Sequence, residues 1–534
     1  MKSSGGTVMN NISEIIAQGK TAIGMEFGST RIKAVLIDSA ANPLASGSFD
    51  WENSYKNGIW TYSLSEVKEG MQTAFANLKA DTEKKYGVKL TTAGALGISG
   101  MMHGYLAFDK DGNQLAEFRT WRNTITAEAA EKLSALFDFN IPQRWSIAHL
   151  YQAMLNGEEH TDKIDSIFTL ASYIHYRLTG KRVVGVGEAS GMFPIDSSIN
   201  DYDRSMLDKF AALSADCPWN INEILPKVLA AGEDAGILTE EGALLLDPTG
   251  EFKAGIPLCP PEGDAGTGMV ATNSVAQRTG NISAGTSIFL MVVLEKALSK
   301  LYPEIDMVTT PSGSPVAMVH CNNCSGEIDA WAGIFKEICT EMGADVTIYK
   351  ILDKMFELSL RADKDCGGLV GFNYLSGEVI TGLDSGKPMF FRGPDSKFDL
   401  ANFSRAQLYS AAATLSIGKE ILDAENVKID RLLGHGGYFK APVAGQSVMA
   451  AALDAPVSVM KTAGEGGPWG QAILALYRLE KADGETLEDF LENRIFSEQE
   501  SFEVKPDEAD KKGFAAFLEN YKKGLAAEKA AAAF

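Results

Sequence analysis

Glu26-Phe27-Gly28-Ser29-Thr30 and Ser283-Ala284-Gly285-Thr286-Ser287 are near-copies of one short pattern, one in each half of the chain. Each joins two apolar, β-rich runs: residues 21–25 lead into 32–37, and Asn281-Ile282 leads into 288–294. Such runs, split by a glycine and hydroxyl residues, predict strand–turn–strand hairpins. A glycine at the turn lets the backbone approach an anion, and the adjoining serines and threonines add hydroxyl donors. Two hairpins of this kind facing one another suit a two-lobed enzyme that grips a nucleotide's phosphates from both sides. An ordinary hairpin with a serine–threonine turn predicts the same letters; the second copy favours the phosphate reading.

At 534 residues the chain is too long for one core and suits two large domains. A net charge of −21 argues against a nucleic-acid partner, which needs clustered Lys and Arg. It also implies that bound phosphates are held by backbone N–H groups and a metal ion. No apolar run approaches the roughly 18 residues needed to span a bilayer, and residues 1–20 lack a contiguous apolar segment. Six cysteines in so long a chain do not form a disulfide framework, so a reduced, soluble, cytoplasmic protein is expected.

The two glycine turns lie about half the chain apart, which fits paired lobes. Val67, Met71, Phe75 and Leu78 recur at helical spacing within 63–86, and a buried-type strand follows at 93–99. Helical patterns run through 126–180 and 201–246. The Pro/Gly-rich stretch 255–268 reads as the inter-lobe connection. The second half predicts helices over 327–342, 346–360, 401–422, 443–453 and 469–479, with strands at 431–433 and 457–460. The resulting domains are 1–268, 269–484 and a tail, 485–534, whose Ala/Lys/Glu-rich part predicts an exposed helix with little chemistry.

Several segments carry candidate chemistry. Glu26, beside a phosphate loop, suits a Mg²⁺ ligand. Asp264, in Gly263-Asp264-Ala265-Gly266, is a candidate base for a substrate hydroxyl; a turn with a local Asx hydrogen bond is the plainer account. Leu433-Gly434-His435-Gly436-Gly437-Tyr438 follows a strand and precedes a helix, where an adenine–ribose unit can approach closely; a tight β–α turn explains it equally well. Gly464-Glu465-Gly466-Gly467-Pro468-Trp469-Gly470 opens the last strong helix. Met102-His103-Gly104 follows a strand and is placed to line a substrate pocket, while Trp121-Arg122-Asn123 supplies an apolar wall and hydrogen bonds for a polyol. A lone histidine is more often structural, and a surface loop has the same letters as the second group. Cys321 and Cys324 form C-x-x-C beside His320, but no second pair stands at metal-binding spacing.

Taken in order, these segments resemble the FGGY family of carbohydrate kinases, in the actin/sugar-kinase/Hsp70 ATPase superfamily. The stretch from Gly24 to Lys33 resembles the first phosphate motif, and Ser283 to Ser287 the second. Gly434-His435-Gly436-Gly437 with Lys440-Ala441-Pro442 and Gln446 resembles the adenosine motif. Gly371-Phe372-Asn373-Tyr374-Leu375-Ser376-Gly377-Glu378 is similar to a further family stretch. Met102-His103-Gly104 and Glu188-Ala189-Ser190-Gly191-Met192 are similar to xylulokinase segments. The resemblance implies an α/β fold of two ribonuclease H-like domains around a central cleft. It implies an ATP- and Mg²⁺-dependent kinase acting on the terminal hydroxyl of a ketopentose, D-xylulose or L-ribulose, and leaves room for a homodimer.

In that scheme Asp264 is the catalytic base. N–H groups of Gly28, Ser29, Thr30, Gly285, Thr286 and Ser287 hold phosphates, Gly436, Gly437 and Gln446 hold the nucleoside, and Met102, His103, Trp121 and Asn123 line the sugar site. Three departures bear on it: Glu26 stands where the family usually has aspartate, Met101 where xylulokinases usually have glutamine, and Asn123 where an acidic residue is common. Two other functions fit the same fold: a sugar-sensing pseudokinase, motivated by Glu26, and an ATPase acting on a protein partner, including an iron–sulfur activator using Cys321 and Cys324.

Overall fold

A computed structural model describes residues 4–441, 443–460, 466–499 and 501–533. Pro442 of the adenosine motif and Gly464-Glu465 lie outside the described residues. The chain divides into two compact units, Met1–Val275 with Met307–Pro315 and Glu465–Glu498, and Ala276–Asp306 with Val316–Gly464 and Gln499–Phe534. These units do not follow linear sequence ranges, because the helix Gly466–Glu480 packs within the first.

The first unit is built on a five-stranded mixed sheet in the order Glu262–Gly263, Ala95–Gly100, Ala22–Phe27, Arg31–Ile37, Pro43–Asp50. All six residues of Ala22–Phe27 are buried, as expected of a central strand covered on both faces. One cover is the helix Leu64–Tyr86, opened by a Ser63–Glu66 capping box and closed by Gly87. The other is Gly466–Glu480, which lies so close that a Cβ on Gly24 would stand 2.0 Å from the Pro468 carbonyl oxygen.

The stretch 255–268 is not a connection between units. Ile256, Leu258 and Cys259 are buried, Glu262–Gly263 pairs in parallel with Ala95–Gly100, and Asp264–Ala271 is a helix. Its apolar residues outweigh the Pro/Gly punctuation, and the chain leaves the first unit only after Val275.

The second unit's sheet places Pro315–Cys321, Ile288–Val293, Thr279–Ala284, Arg431–His435, Val457–Met460 and Ser501–Val504 in that order. The 25-residue helix Leu400–Ala424 is buried from Asn402 to Ser416 and exposed at both ends. The terminal helix Glu508–Ala532 forms as expected, with Asp507 as its N-cap, but it is not a bystander. Phe514, Phe517, Leu518 and Tyr521 make an apolar stripe buried in the unit, and Tyr521 packs on Phe372 at a centroid distance of 4.6 Å. Among the described residues no helix is long and apolar enough to cross a membrane.

Candidate functional site

In the first unit, Phe27 and Gly263 both pair with Gly100, so three parallel strands stop level with one another. The residues that follow them, Gly28, Met101 to Gly104 and Asp264, therefore emerge side by side. The carboxyl edge of parallel strands is where α/β sheets bind ligands. Asp264 begins its helix, and its Oδ1 accepts the Ala265 N–H at 3.0 Å and the Met102 N–H at 3.1 Å. The second bond ties the carboxylate to the Met102-His103 loop. Asp264 is open to solvent, yet protein surrounds it on most sides; that desolvation raises its carboxyl above the ordinary aspartate range, against the pull of the N–H donors.

His103 is buried and sits at φ 72°, a left-handed conformation. Its Nε2 accepts the Arg144 Nε–H at 3.0 Å. Arginine only donates, so Nδ1 carries the proton and donates to the Gly191 carbonyl at 3.3 Å. Gly191 is needed there: a Cβ would stand 2.5 Å from Nδ1. Both ring nitrogens thus bond to protein, fixing one neutral tautomer beside Asp264's anchor.

Four carboxyls gather at this edge. Glu26 lies over the first turn of Gly466–Glu480, where a Cβ on Gly467 would fall 1.5 Å from its Oε2, and Lys33 Nζ is 3.9 Å away. Burial pushes its pKa up to about 7; Lys33 opposes the shift and Asp264 adds to it. Glu262 accepts the N–H groups of Gly187 at 3.3 Å and Glu188 at 2.9 Å, in a space that Gly185 and Gly187 leave open. Burial raises it to about 8. Glu188 is wholly buried against Gly263, and desolvation, with Glu262 and Asp264 nearby, holds it well above the usual range.

Because the folded protein retains these protons and the unfolded chain releases them near pH 4.5, their stabilisation is complete below about pH 4.5 and fades as pH rises through 7 to 8. The contribution of these carboxyls to stability without ligands is therefore expected to fall from pH 5 to pH 8, against the buried His149, His175 and His435, which stay neutral in the fold and add stability as pH rises to about 6.5. Glu262→Gln, which cannot ionise and whose amide oxygen keeps one of the two N–H groups, should flatten that decline by on the order of a few kcal/mol. A slope identical to wild type across this range would refute the assignment.

The second unit repeats the edge. Ser283 pairs in parallel with His435, so the turn at 285–287 and Gly436-Gly437 leave neighbouring strands together. Gly436 has φ 99°, and a Cβ there would stand 2.3 Å from the Ala284 carbonyl oxygen, so the adenosine and second phosphate motifs touch through bare backbone. The Gly285 N–H donates to the Ser287 carbonyl at 2.9 Å, as the Gly28 N–H does to the Arg31 carbonyl at 3.1 Å. This corrects the expectation for those two N–H groups: each closes its own hairpin.

Other expected residues carry structural bonds. The Asn123 Oδ1 accepts the Trp60 N–H at 2.9 Å and its Nδ2 donates to the carbonyls of Trp60 and Thr120, at 2.8 and 3.0 Å, so its amide braces the hairpin of Ser54–Lys56 and Ile59–Thr61. Trp121 is 41% exposed. The Gln446 amide donates to the carbonyls of Val457 at 3.0 Å and Phe502 at 2.7 Å and accepts the Val443 N–H, bracing an edge of the sheet. Cys321 and Cys324 are buried and free, and burial lifts the Cys324 thiol to about 12. Among the described residues no group of three His, Cys, Asp or Glu is arranged to hold a metal. Mg²⁺ does not need such a group, since one carboxylate with phosphate oxygens and water is enough for it, and Glu26 fits that requirement. Sequence reasoning missed Glu262 and Arg144 altogether, since only the fold shows what they face.

The sequence profile of the FGGY family of carbohydrate kinases, N-terminal domain, matches residues 21–270, and that of its C-terminal domain residues 280–479. A xylulose kinase from Haemophilus influenzae is 23% identical over 515 residues, covering 93% of this chain and 98% of its own. The fold is similar to that of a xyloylose kinase from Brucella ovis (TM-score 0.77, 19% identity, 95% and 99% coverage). It is likewise similar to Plasmodium falciparum glycerol kinase with ADP (TM-score 0.75, 16% identity, 95% and 98% coverage).

Proposed function

The chain belongs to the FGGY family of carbohydrate kinases, and from that premise we propose that it transfers the γ-phosphoryl group of ATP to the terminal hydroxyl of a ketopentose, D-xylulose or L-ribulose. The observation that carries this reading is Asp264. Its Oδ1 is fixed by two N–H donors, which leaves Oδ2 to take the proton of an incoming hydroxyl. Its raised pKa makes it a better base than an ordinary exposed aspartate.

Met102 and His103 form the wall that the Asp264 bond holds in place, and Trp121 offers an exposed apolar face for a sugar ring or chain. In the first unit the N–H and hydroxyl groups of Ser29 and Thr30 are suited to phosphate oxygens; in the second, those of Thr286 and Ser287 are, beside Gly436 and Gly437, whose bare backbone suits the nucleoside end. Gln446 serves this site by holding the strand edge beneath it. Mg²⁺, when bound, would neutralise phosphate charge near Glu26. Six free cysteines support a cytoplasmic setting.

The test is initial-rate ADP formation with D-xylulose, L-ribulose, D-ribulose, L-xylulose, L-fuculose, L-rhamnulose and glycerol. D-xylulose or L-ribulose is expected to give the highest kcat/KM. A clear win for glycerol or a deoxyhexulose would overturn the substrate class. No sugar-dependent ADP at all would favour the non-catalytic sugar sensor, which the buried, proton-retaining Glu26 also fits.

A further inference from the structure

The segment 373–378, which follows the short strand Val370–Phe372, has no chemistry of its own in the scheme above, yet its polar atoms converge on one loop. The Asn323 Oδ1 accepts the N–H groups of Leu375 at 2.9 Å and Ser376 at 3.0 Å. Its Nδ2 donates to Glu378 Oε2 at 3.2 Å, and the same carboxylate oxygen accepts the Asn322 N–H at 2.9 Å. Asn373 Nδ2 donates to the Cys324 carbonyl at 3.1 Å. Asn323, Asn373 and Glu378 are all buried.

The gripped loop ends on the second phosphate turn. The Cys324 N–H donates to the Thr286 carbonyl at 3.0 Å, and the Ser325 N–H to the Gly285 carbonyl at 3.1 Å. Behind the segment, Glu378 exchanges both backbone bonds with Leu383, at 2.7 and 2.9 Å. Tyr374 is buried with its hydroxyl 2.9 Å from Thr414 Oγ1. The bracket therefore rests on core and ends on the turn.

We propose that Asn323 and Glu378 are positioning residues for the nucleotide: they hold residues 322–325 so that the Cys324 and Ser325 N–H groups fix the 285–287 turn and aim the Thr286 and Ser287 donors. The proposal rests on the kinase reading and deepens it. Bonds made inside a buried polar network strengthen one another, and an unpaired buried amide is costly, so the loop has one favoured arrangement. Preorganised donors bind phosphate without reorganisation at the moment of transfer.

The experiment compares wild type with Asn323→Ala, Glu378→Ala and Glu378→Gln, using MgADP calorimetry and steady-state kinetics with the best ketose. Asn323→Ala should weaken MgADP binding and raise KM for MgATP about tenfold or more, with KM for the ketose unchanged within about twofold. Glu378→Ala should move the nucleotide terms the same way, by about threefold. Glu378→Gln keeps an acceptor for Asn322 and Asn323 and should stay near wild type. That split, with rescue by glutamine, is one that general destabilisation would not produce. A folded Asn323→Ala or Glu378→Ala protein with wild-type MgADP affinity overturns the proposal, as does a parallel rise in both KM values. If wild type binds MgADP but phosphorylates no ketose, the kinase reading fails while the calorimetry still judges the bracket.

Discussion

Asp264→Asn is expected to lower kcat for ketose phosphorylation about 100- to 10,000-fold, the range that a positioned general base contributes. MgADP affinity should change by less than about twofold, because the substitution removes basicity and little else. Asparagine has the same shape, and its Oδ1 can still accept the N–H groups of Met102 and Ala265, now at 3.1 and 3.0 Å. The helix Asp264–Ala271 and the Met102-His103 loop therefore keep their anchor. The effect should appear in kcat and kcat/KM together, the pattern of an interaction made only in the transition state. Near-normal turnover in a folded Asp264→Asn protein would remove Asp264 from the base role. Loss of MgADP binding alongside turnover would show that the residue holds structure instead.

The parts of this site that were legible in the sequence are those encoded locally. A glycine and hydroxyls between two β-rich runs specify a hairpin from a few residues, and both hairpins formed, Ala22–Phe27 with Arg31–Ile37 and Thr279–Ala284 with Ile288–Val293. The helix Leu64–Tyr86 was equally legible from its spacing, though not its capping box at Ser63 and Glu66. What the sequence hid depends on partners far along the chain. Nothing near Glu262 says that Gly185 and Gly187 leave room for its carboxylate, or that Glu188 rests on Gly263. Asn123 and Gln446 look like ligand amides until the strands they brace are seen. The stretch 255–268 has the composition of a linker, but its pairing partner, Ala95–Gly100, lies in a distant part of the chain. In the terminal helix, alanine and lysine dilute the apolar stripe, so its burial follows from the surface it meets.

The same dependence on a distant partner makes Gly436 sensitive to substitution, and it lies in the proposed nucleotide site. Gly436→Ala is expected to weaken MgADP binding by about 100-fold or more and to lower kcat/KM for MgATP in step. Two independent costs act there. At φ 99° and ψ −177° the backbone occupies a region essentially reserved for glycine, which costs an L-residue on the order of 1–3 kcal/mol. The added methyl would also stand 2.3 Å from the Ala284 carbonyl oxygen, and that oxygen belongs to a sheet strand rather than a movable side chain. The clash is relieved only by pushing Arg431–His435 and Thr279–Ala284 apart at their ends, where the 285–287 turn and Gly437 diverge. Gly437→Ala is the matched control: nothing lies within 4 Å of a Cβ there, and φ is not positive, so folding should be undisturbed and any loss of MgADP affinity reports contact with the nucleotide itself. Wild-type MgADP affinity in Gly436→Ala would mean that the nucleotide does not use this pair of strand ends.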